Sequence, residues 1–454
     1  MSTIKKSSYE HYLQDVDVPN LYKDIFPYSD VPKVAFNQIQ VPMDLPENIW
    51  ITDTTFRDGQ QSMPPYAAEQ IIRIFDYLHE LDNNSGIIKQ TEFFLYTEKD
   101  RRAAQVCMER GYKFPEVTSW IRANKEDFKL VKEMGIKETG MLMSCSDYHI
   151  FKKLNVSRQK AMDMYLSIVE EALKNGIRPR CHLEDITRAD FYGFVVPFVN
   201  RLMELSKEAN VPIKVRVCDT LGLGVPYSGT ALPRSVQGLI HGLRTNCAVP
   251  SECIEWHGHN DFNAVVSNST TAWLYGASSI NTSLLGIGER TGNCPLESMI
   301  FEYAQLKGST GNMKLHVITE LAEYFSKEMK YDVPPRTPFI GSQFNVTRAG
   351  IHADGILKDE EIYNIFDTDK ILGRPVVVAV NQYSGLAGIA AWINTYYRLK
   401  DGDKIDKKDP RVAVMKEWVD EQYAEGRTTI IGNNELELLV DRIMPEINEK
   451  NRAS

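Results

Sequence analysis

Between residues 49 and 310, short runs of apolar and β-branched residues alternate with longer stretches in which apolar positions recur at helical spacing. That rhythm is the pattern of repeated βα units. Strand-like runs fall near 49–55, 87–94, 115–119, 136–143, 177–183, 212–218, 253–258 and 279–285. The helical patterns between them include Ala67 to Leu81, Asp100 to Arg110, Lys125 to Met134, Arg158 to Asn175, Phe191 to Ala209 and Pro233 to Thr245. Eight parallel units over about 260 residues fit a (β/α)8 TIM barrel, an α/β fold. A doubly wound open sheet is the alternative, but no Gly-rich dinucleotide turn follows the first strand.

The flanks read differently. Residues 1–48 carry Pro19, Pro27, Pro32, Pro42 and Pro46 among aromatic and charged residues, which suits an extended arm laid on a larger body. The barrel is expected over 49–330, ending in a helix-like stretch from Leu315 to Lys330 and the Pro-rich linker Val333 to Pro338. A subdomain over 331–388 carries His352, and residues 389–454 form a small, mostly helical C-terminal region. Helices are expected there near Ile389 to Lys400, Pro410 to Glu425 and Asn434 to Lys450.

Composition narrows the function. The 454 residues are 43% hydrophobic and 25% charged, enough for a large core. A net charge of -9 with no long basic run argues against nucleic acid and against an anionic membrane surface as partners. No leader-like or bilayer-spanning apolar stretch is evident, so a cytoplasmic protein is expected. The seven cysteines are dispersed without CxxC spacing, which speaks against a disulfide frame and a structural zinc knuckle.

Two polar runs at strand ends carry the chemistry. Ile49 to Thr52 reads as a short strand running into Asp53-Thr54-Thr55-Phe56-Arg57-Asp58-Gly59-Gln60-Gln61, and Cys253 to Trp256 runs into His257-Gly258-His259-Asn260-Asp261. Residues at i and i+2 on a strand share a face, so the two imidazoles can grip one ion. Either run alone is compatible with an ordinary turn or surface alternation. On a barrel, however, strand ends converge. Asp58, His257 and His259 then make a mixed oxygen and nitrogen set suited to Mn2+, Zn2+, Co2+ or Mg2+. Arg57 beside them could stabilise a developing oxyanion, or could simply form a salt bridge. The loop Leu285 to Asn293 follows the last strand, where glycine-rich loops commonly complete a site.

These runs resemble the DRE-TIM metallolyase superfamily, most closely its Claisen-condensing branch of isopropylmalate, homocitrate, citramalate and Re-specific citrate synthases. The family pattern D-T-T-L-R-D-G-E-Q stands at 53–61 with Phe56 and Gln60 substituted; H-x-H-N-D stands at 257–261 and G-x-G-E-R-x-G-N at 286–293, both intact. The resemblance implies metal ligation by Asp58, His257 and His259, with Asn293 approaching the ion. It implies that Arg57 and Thr220 hold the 2-oxo acid, and that acetyl-CoA is the co-substrate. Ala349 to Gly355 is similar to the family's S-G-x-H-x-D-G, which makes His352 the candidate base, assisted by Tyr363. A homodimer is implied as well.

The strand Arg178-Pro179-Arg180-Cys181-His182-Leu183-Glu184-Asp185 bears on the oxo acid. It resembles the R-x-S-x-E-D of homocitrate synthases, whose Arg meets a distal carboxylate, so Arg180 argues for a dicarboxylic substrate. A buried Arg also requires an anion, and the alternative is pairing with Glu184 or Asp185. His182 in place of Ser would shorten the pocket and favour oxaloacetate, the substrate of the citrate-forming group; Glu184 joins the candidate catalytic set. The alternatives are condensation with 2-oxoglutarate, 2-oxoisovalerate or pyruvate. A hydroxymethylglutaryl-CoA lyase-type reaction, kept open by Cys294, and a non-catalytic barrel fit less well.

Overall fold

The computed structural model describes residues 6–400 and 402–447. Eight strands close into a parallel barrel in chain order: β1 Trp50–Asp53, β2 Ile88–Phe94, β3 Glu116–Ile121, β4 Glu138–Ser144, β5 Arg178–Glu184, β6 Lys214–Asp219, β7 Ile254–Gly258 and β8 Ser279–Thr282. Strand β8 returns to β1 with Trp50 opposite Ser279 and Asp53 opposite Thr282. The helices between and after them are α1 Ala68–Asp82, α2 Glu98–Glu109, α3 Phe128–Glu133, α4 Arg158–Lys174, α5 Val196–Ala209, α6 Val236–Cys247, α7 Val265–Leu274 and α8 Leu296–Lys307.

Side-chain alternation on the strands explains the closure. Met141, Met143, Cys181, Leu183, Val215 and Val217 are fully buried on one face. Their neighbours at alternate positions, Glu92, Glu138, Arg180, His182, Arg216 and Glu255, are buried too, and join strands that are not neighbours in the sheet. Only the lumen allows such pairings, so the barrel interior is ionic and the apolar faces lie under the helices.

Two helices start differently from expectation. The segment expected as one helix from Phe191 opens with a wider π-turn, Phe191–Val195, before α5. Helix α6 starts at Val236 rather than Pro233, because the Ser235 hydroxyl accepts from the Gly238 N–H and caps it there.

Among its described residues the arm has no helix of its own and is pinned by backbone bonds. Ser7 N–H donates to Thr245 O, Gln14 N–H to Gly193 O, Asn37 N–H to Gly229 O and Asp44 N–H to Leu274 O. Buried arginines supply further donors: Arg158 to Gln14 O and Arg234 to Lys33 O at 2.6 Å.

The chain forms two compact units, divided between Lys314 and Leu315. The second contains α9 Val317–Lys327, α10 Gly350–Lys358, α11 Thr368–Leu372, α12 Leu386–Tyr396, α13 Pro410–Ala424 and α14 Asn433–Ile443, with a parallel pair of β9 Val346–Thr347 and β10 Val377–Val378. Its core gathers Val378, Val380, Ile389, Trp392, Met415, Leu436 and Val440. The division lies ahead of the 330 boundary and the Pro-rich linker read from the sequence. Helix α9 explains this, since Thr319 donates to Leu372 O at 2.8 Å and so ties that helix to the second unit. No described helix is long and apolar enough to cross a membrane.

Candidate active site

The chain leaves β1 in a tight π-turn, Thr55–Gly59, that buries Asp58. The turn is fastened to the exit of the last strand, because Thr55 Oγ1 accepts from the Leu284 N–H after β8 at 2.9 Å. Strand β7 brings in the two imidazoles. His257 Nε2 lies 3.4 Å and His259 Nε2 4.0 Å from Asp58 Oδ2. One ligand atom from each of the three lies within 4.8 Å of the others.

The donor set fits a divalent cation. Pairing of β7 with β8 sets His257 opposite Asn281, and His257 Nδ1 meets Asn281 Oδ1 at 2.8 Å. The Nδ1 proton is thereby held by the amide and the Nε2 lone pair is left towards Asp58. Burial lowers His257 to about 3 and lowers His259 as well, so both imidazoles are neutral at pH 7, the form that binds metal. Burial works against the charge of Asp58, but the Arg57 guanidinium beside it and the Asn293 amide N–H keep its carboxyl below the usual range.

Asn293 completes the cluster. Its amide nitrogen donates to Asp58 Oδ2 at 2.9 Å, while its buried Oδ1 has no hydrogen-bond partner. An unmet buried acceptor is costly, and an ion beside Asp58 would satisfy it. The glycine loop makes this approach possible. A Cβ on Gly288 would stand 2.3 Å from Asn293 Oδ1, and Gly292 takes a φ of +93° with a Cβ position 2.1 Å from Gly286 O.

Arg57 donates Nη1 to Asp58 at 2.6 Å and Nε to Glu92 at 2.8 Å. Glu92 also accepts from Arg180 and from Arg216, the latter at 3.1 Å. Three guanidinium groups outweigh burial and hold its carboxyl well below the usual range. The sequence reading missed Glu92, although an acid in Ile88-Lys89-Gln90-Thr91-Glu92-Phe93-Phe94 was a visible signal. Asn281, Arg216 and Glu255, polar residues at alternate positions inside buried strands, were missed as well.

Arg180 requires a correction. Its charge is met by Glu92 and by Glu138 at 3.0 Å, not by Glu184 or Asp185 and not only by an incoming carboxylate. With 1% of its side chain exposed, its burial alone does not call for an anionic substrate. His182 packs beside it, Nε2 accepting from Arg180 Nε at 3.3 Å, and burial with Arg216 nearby keeps the ring neutral. The ring fills the space left by Gly140, whose Cβ would lie 2.4 Å from His182 Nε2.

The other candidates are spread around the strand ends. Glu184 faces Ser144, His149 at 2.9 Å and Lys153 at 3.1 Å. Thr220 Oγ1 accepts from the Asp185 N–H at 2.8 Å. His352 lies on helix α10. Its ring packs 4.2 Å from that of Tyr363, within the second unit.

Comparison with known proteins matches residues 48–324 to the HMGL-like family. Over 447 residues the chain is 79% identical to Citrate (Re)-synthase of Clostridium kluyveri, covering 98% of this chain and 99% of that protein. It is 51% identical to Citrate (Re)-synthase of Syntrophus aciditrophicus, over 96% of this chain and 69% of that protein. It is also 38% identical to 2-phosphinomethylmalate synthase of Streptomyces hygroscopicus, over 95% and 98% respectively.

Proposed function

Because the chain belongs to the HMGL-like family and its similarity to citrate (Re)-synthases runs nearly end to end, we infer that it is an acyltransferase forming citrate and CoA by Claisen condensation. The co-substrates of this reading are acetyl-CoA and oxaloacetate. The observation that carries it is the 79% identity over 98% of the chain, with the Asp58, His257 and His259 cluster assembled at the barrel mouth. The working form would be a cytoplasmic homodimer.

Asp58, His257 and His259 would hold the divalent ion, with Asn293 beside them. When bound, that ion supplies Lewis-acid polarisation of the oxo acid's carbonyl, with Mn2+, Co2+, Mg2+ and Zn2+ all compatible with the donors. Arg57 has Nε and Nη1 committed to Glu92 and Asp58, which fixes its plane and leaves Nη2 for the oxygen that becomes negative. Thr220 would orient the oxo acid's carboxylate. His352 removes a methyl proton from the thioester, with Tyr363 against its ring, and the enolate carbon attacks the carbonyl carbon. Water then cleaves the thioester, releasing CoA and making the sequence irreversible. Glu184 is the carboxylate proposed to handle a proton in these steps.

His182 and Arg180 shape the floor of the oxo-acid pocket in this account. Arg180 acts through its clasp on Glu92, which in turn orients Arg57, and the His182 ring limits depth.

The test is to detect citrate by NMR after incubating the protein with acetyl-CoA and oxaloacetate, before and after removal of metal by chelator. Citrate formation that stops on chelation and resumes with added divalent ion is expected. Formation indifferent to chelation would contradict the metal assignment, and no citrate from the metal-replete protein would contradict the reaction.

A further inference from the structure

We propose that Lys23, Lys152 and Arg188, gathered around the Tyr148 ring, form the site that binds the phosphates of the CoA moiety. This rests on the reading of acetyl-CoA as co-substrate, and it identifies an anion site apart from the metal centre.

Three separate segments build the cluster. Lys23 comes from the N-terminal arm, Tyr148 and Lys152 from the turn after β4, and Arg188 from the turn after β5. Lys23 Nζ lies 5.4 Å, Lys152 Nζ 5.5 Å and Arg188 Cζ 4.1 Å from the ring centroid. An aromatic face attracts cations and offsets part of their mutual repulsion. The arm is held in place at this point, since Asn20 N–H donates to Asp147 Oδ2 at 2.6 Å and the Tyr148 hydroxyl donates to Leu21 O at 2.9 Å.

The carboxylates in and after the turns that follow β4 and β5 are already engaged. Arg158 takes Asp147 and Asp190, Arg188 takes Asp185, and Lys153 with His149 takes Glu184. Lys23 and Lys152 are exposed and have no ion-pair partner among the described residues. On a chain of net charge -9, uncommitted cations grouped at one spot need a reason. Phosphate groups provide one.

Position supports that ligand. The turns after β4 and β5 stand at the same end of the barrel as Asp58, His257 and His259. A continuous rim joins the two places: Arg290 donates to Thr220 O at 2.6 Å, Asp185 N–H to Thr220 Oγ1 at 2.8 Å, and Arg188 to Asp185 at 2.9 Å. A thioester at the metal centre with its pantetheine arm along this rim brings the phosphates to the cations.

The experiment compares acetyl-CoA with S-acetylpantetheine, which has the same reactive end and no nucleotide, on the double variant Lys23→Glu/Lys152→Glu. The KM for acetyl-CoA should rise about tenfold or more, the KM for S-acetylpantetheine should not rise, and Lys23→Arg/Lys152→Arg should restore acetyl-CoA binding. Adenosine 3′,5′-bisphosphate should compete with acetyl-CoA on the native protein and lose that effect on the Glu variant. Equal KM changes for both thioesters, no change, or nucleotide inhibition that does not compete with acetyl-CoA would each overturn the site. Calorimetric titration with CoA reads the same site without turnover, so loss of the cation cluster is distinguishable from absence of the condensation itself.

Discussion

Glu92 joins the metal centre to the barrel interior, because one buried carboxylate serves Arg57, Arg180 and Arg216. Removing a single partner from such a network leaves charges buried without compensation, which costs far more than the net worth of the intact pair. Glu92→Ala should therefore destabilise the first unit by about 3–5 kcal/mol in urea unfolding. A loss below about 1 kcal/mol would mean that water reaches these guanidinium groups. The same residue marks how much of the site was legible in the sequence. Asp58, His257 and His259 could be read because they stand at strand ends with recognisable spacing. Glu92 lies within a strand, and only barrel closure shows that its alternate position faces the arginines of β5 and β6. Arg180 was read as an anion seeker, yet its partners Glu92 and Glu138 come from β2 and β4, and only barrel closure brings them together.

At the scale of single elements, β4 and β5 fit each other through a missing side chain. Gly140 gives its volume to the His182 ring, so Gly140→Ala should cost about 1–3 kcal/mol by overpacking. Adding His182→Ser should recover part of that loss. Strictly additive unfolding energies would show that the two positions do not compete for space. Helix α8 carries a pH-dependent cost. Burial raises Glu297 from 4.5 to about 7, while its Oε2 accepts from the Leu285 N–H at 3.1 Å. The folded state thus holds a proton that the unfolded state releases at lower pH, and stability from this group falls as pH rises from about 4.5 to about 7. Glu297→Gln should keep the acceptor, remove that slope, and raise stability at pH 8 by about 1–3 kcal/mol. An unchanged slope in urea midpoints between pH 5 and 8 would locate the titration elsewhere. Strand and helix order could be read from periodicity, whereas the starts of α5 and α6 depended on a π-turn and on the Ser235 cap.

For the molecule as a whole, the arm is the part whose contribution sequence alone could not weigh. Its prolines and lack of periodicity indicated an extended segment, but its partners lie up to about 260 residues away on the barrel. Deleting residues 2–44 would strip acceptors from buried Arg158 and Arg234 and remove Asp44 from Arg244. The expected result is a loss of roughly 3 kcal/mol or more in unfolding free energy, since each orphaned buried donor costs about 1–3 kcal/mol. An unaltered urea midpoint would mean that the arm is merely laid on the surface. The second unit was legible as helical, but its start at Leu315 was not, because the bond from Thr319 to Leu372 joins segments that lie on either side of the Pro-rich stretch.

The central claim, that this barrel condenses acetyl-CoA with oxaloacetate, is tested most directly by initial rates of CoA release from acetyl-CoA. Oxaloacetate, 2-oxoglutarate, pyruvate and 2-oxoisovalerate are assayed in parallel on the metal-replete protein. A kcat/KM for oxaloacetate about a hundredfold or more above each of the others is expected. Equal rates across the four acids, or preference for any other, would contradict it.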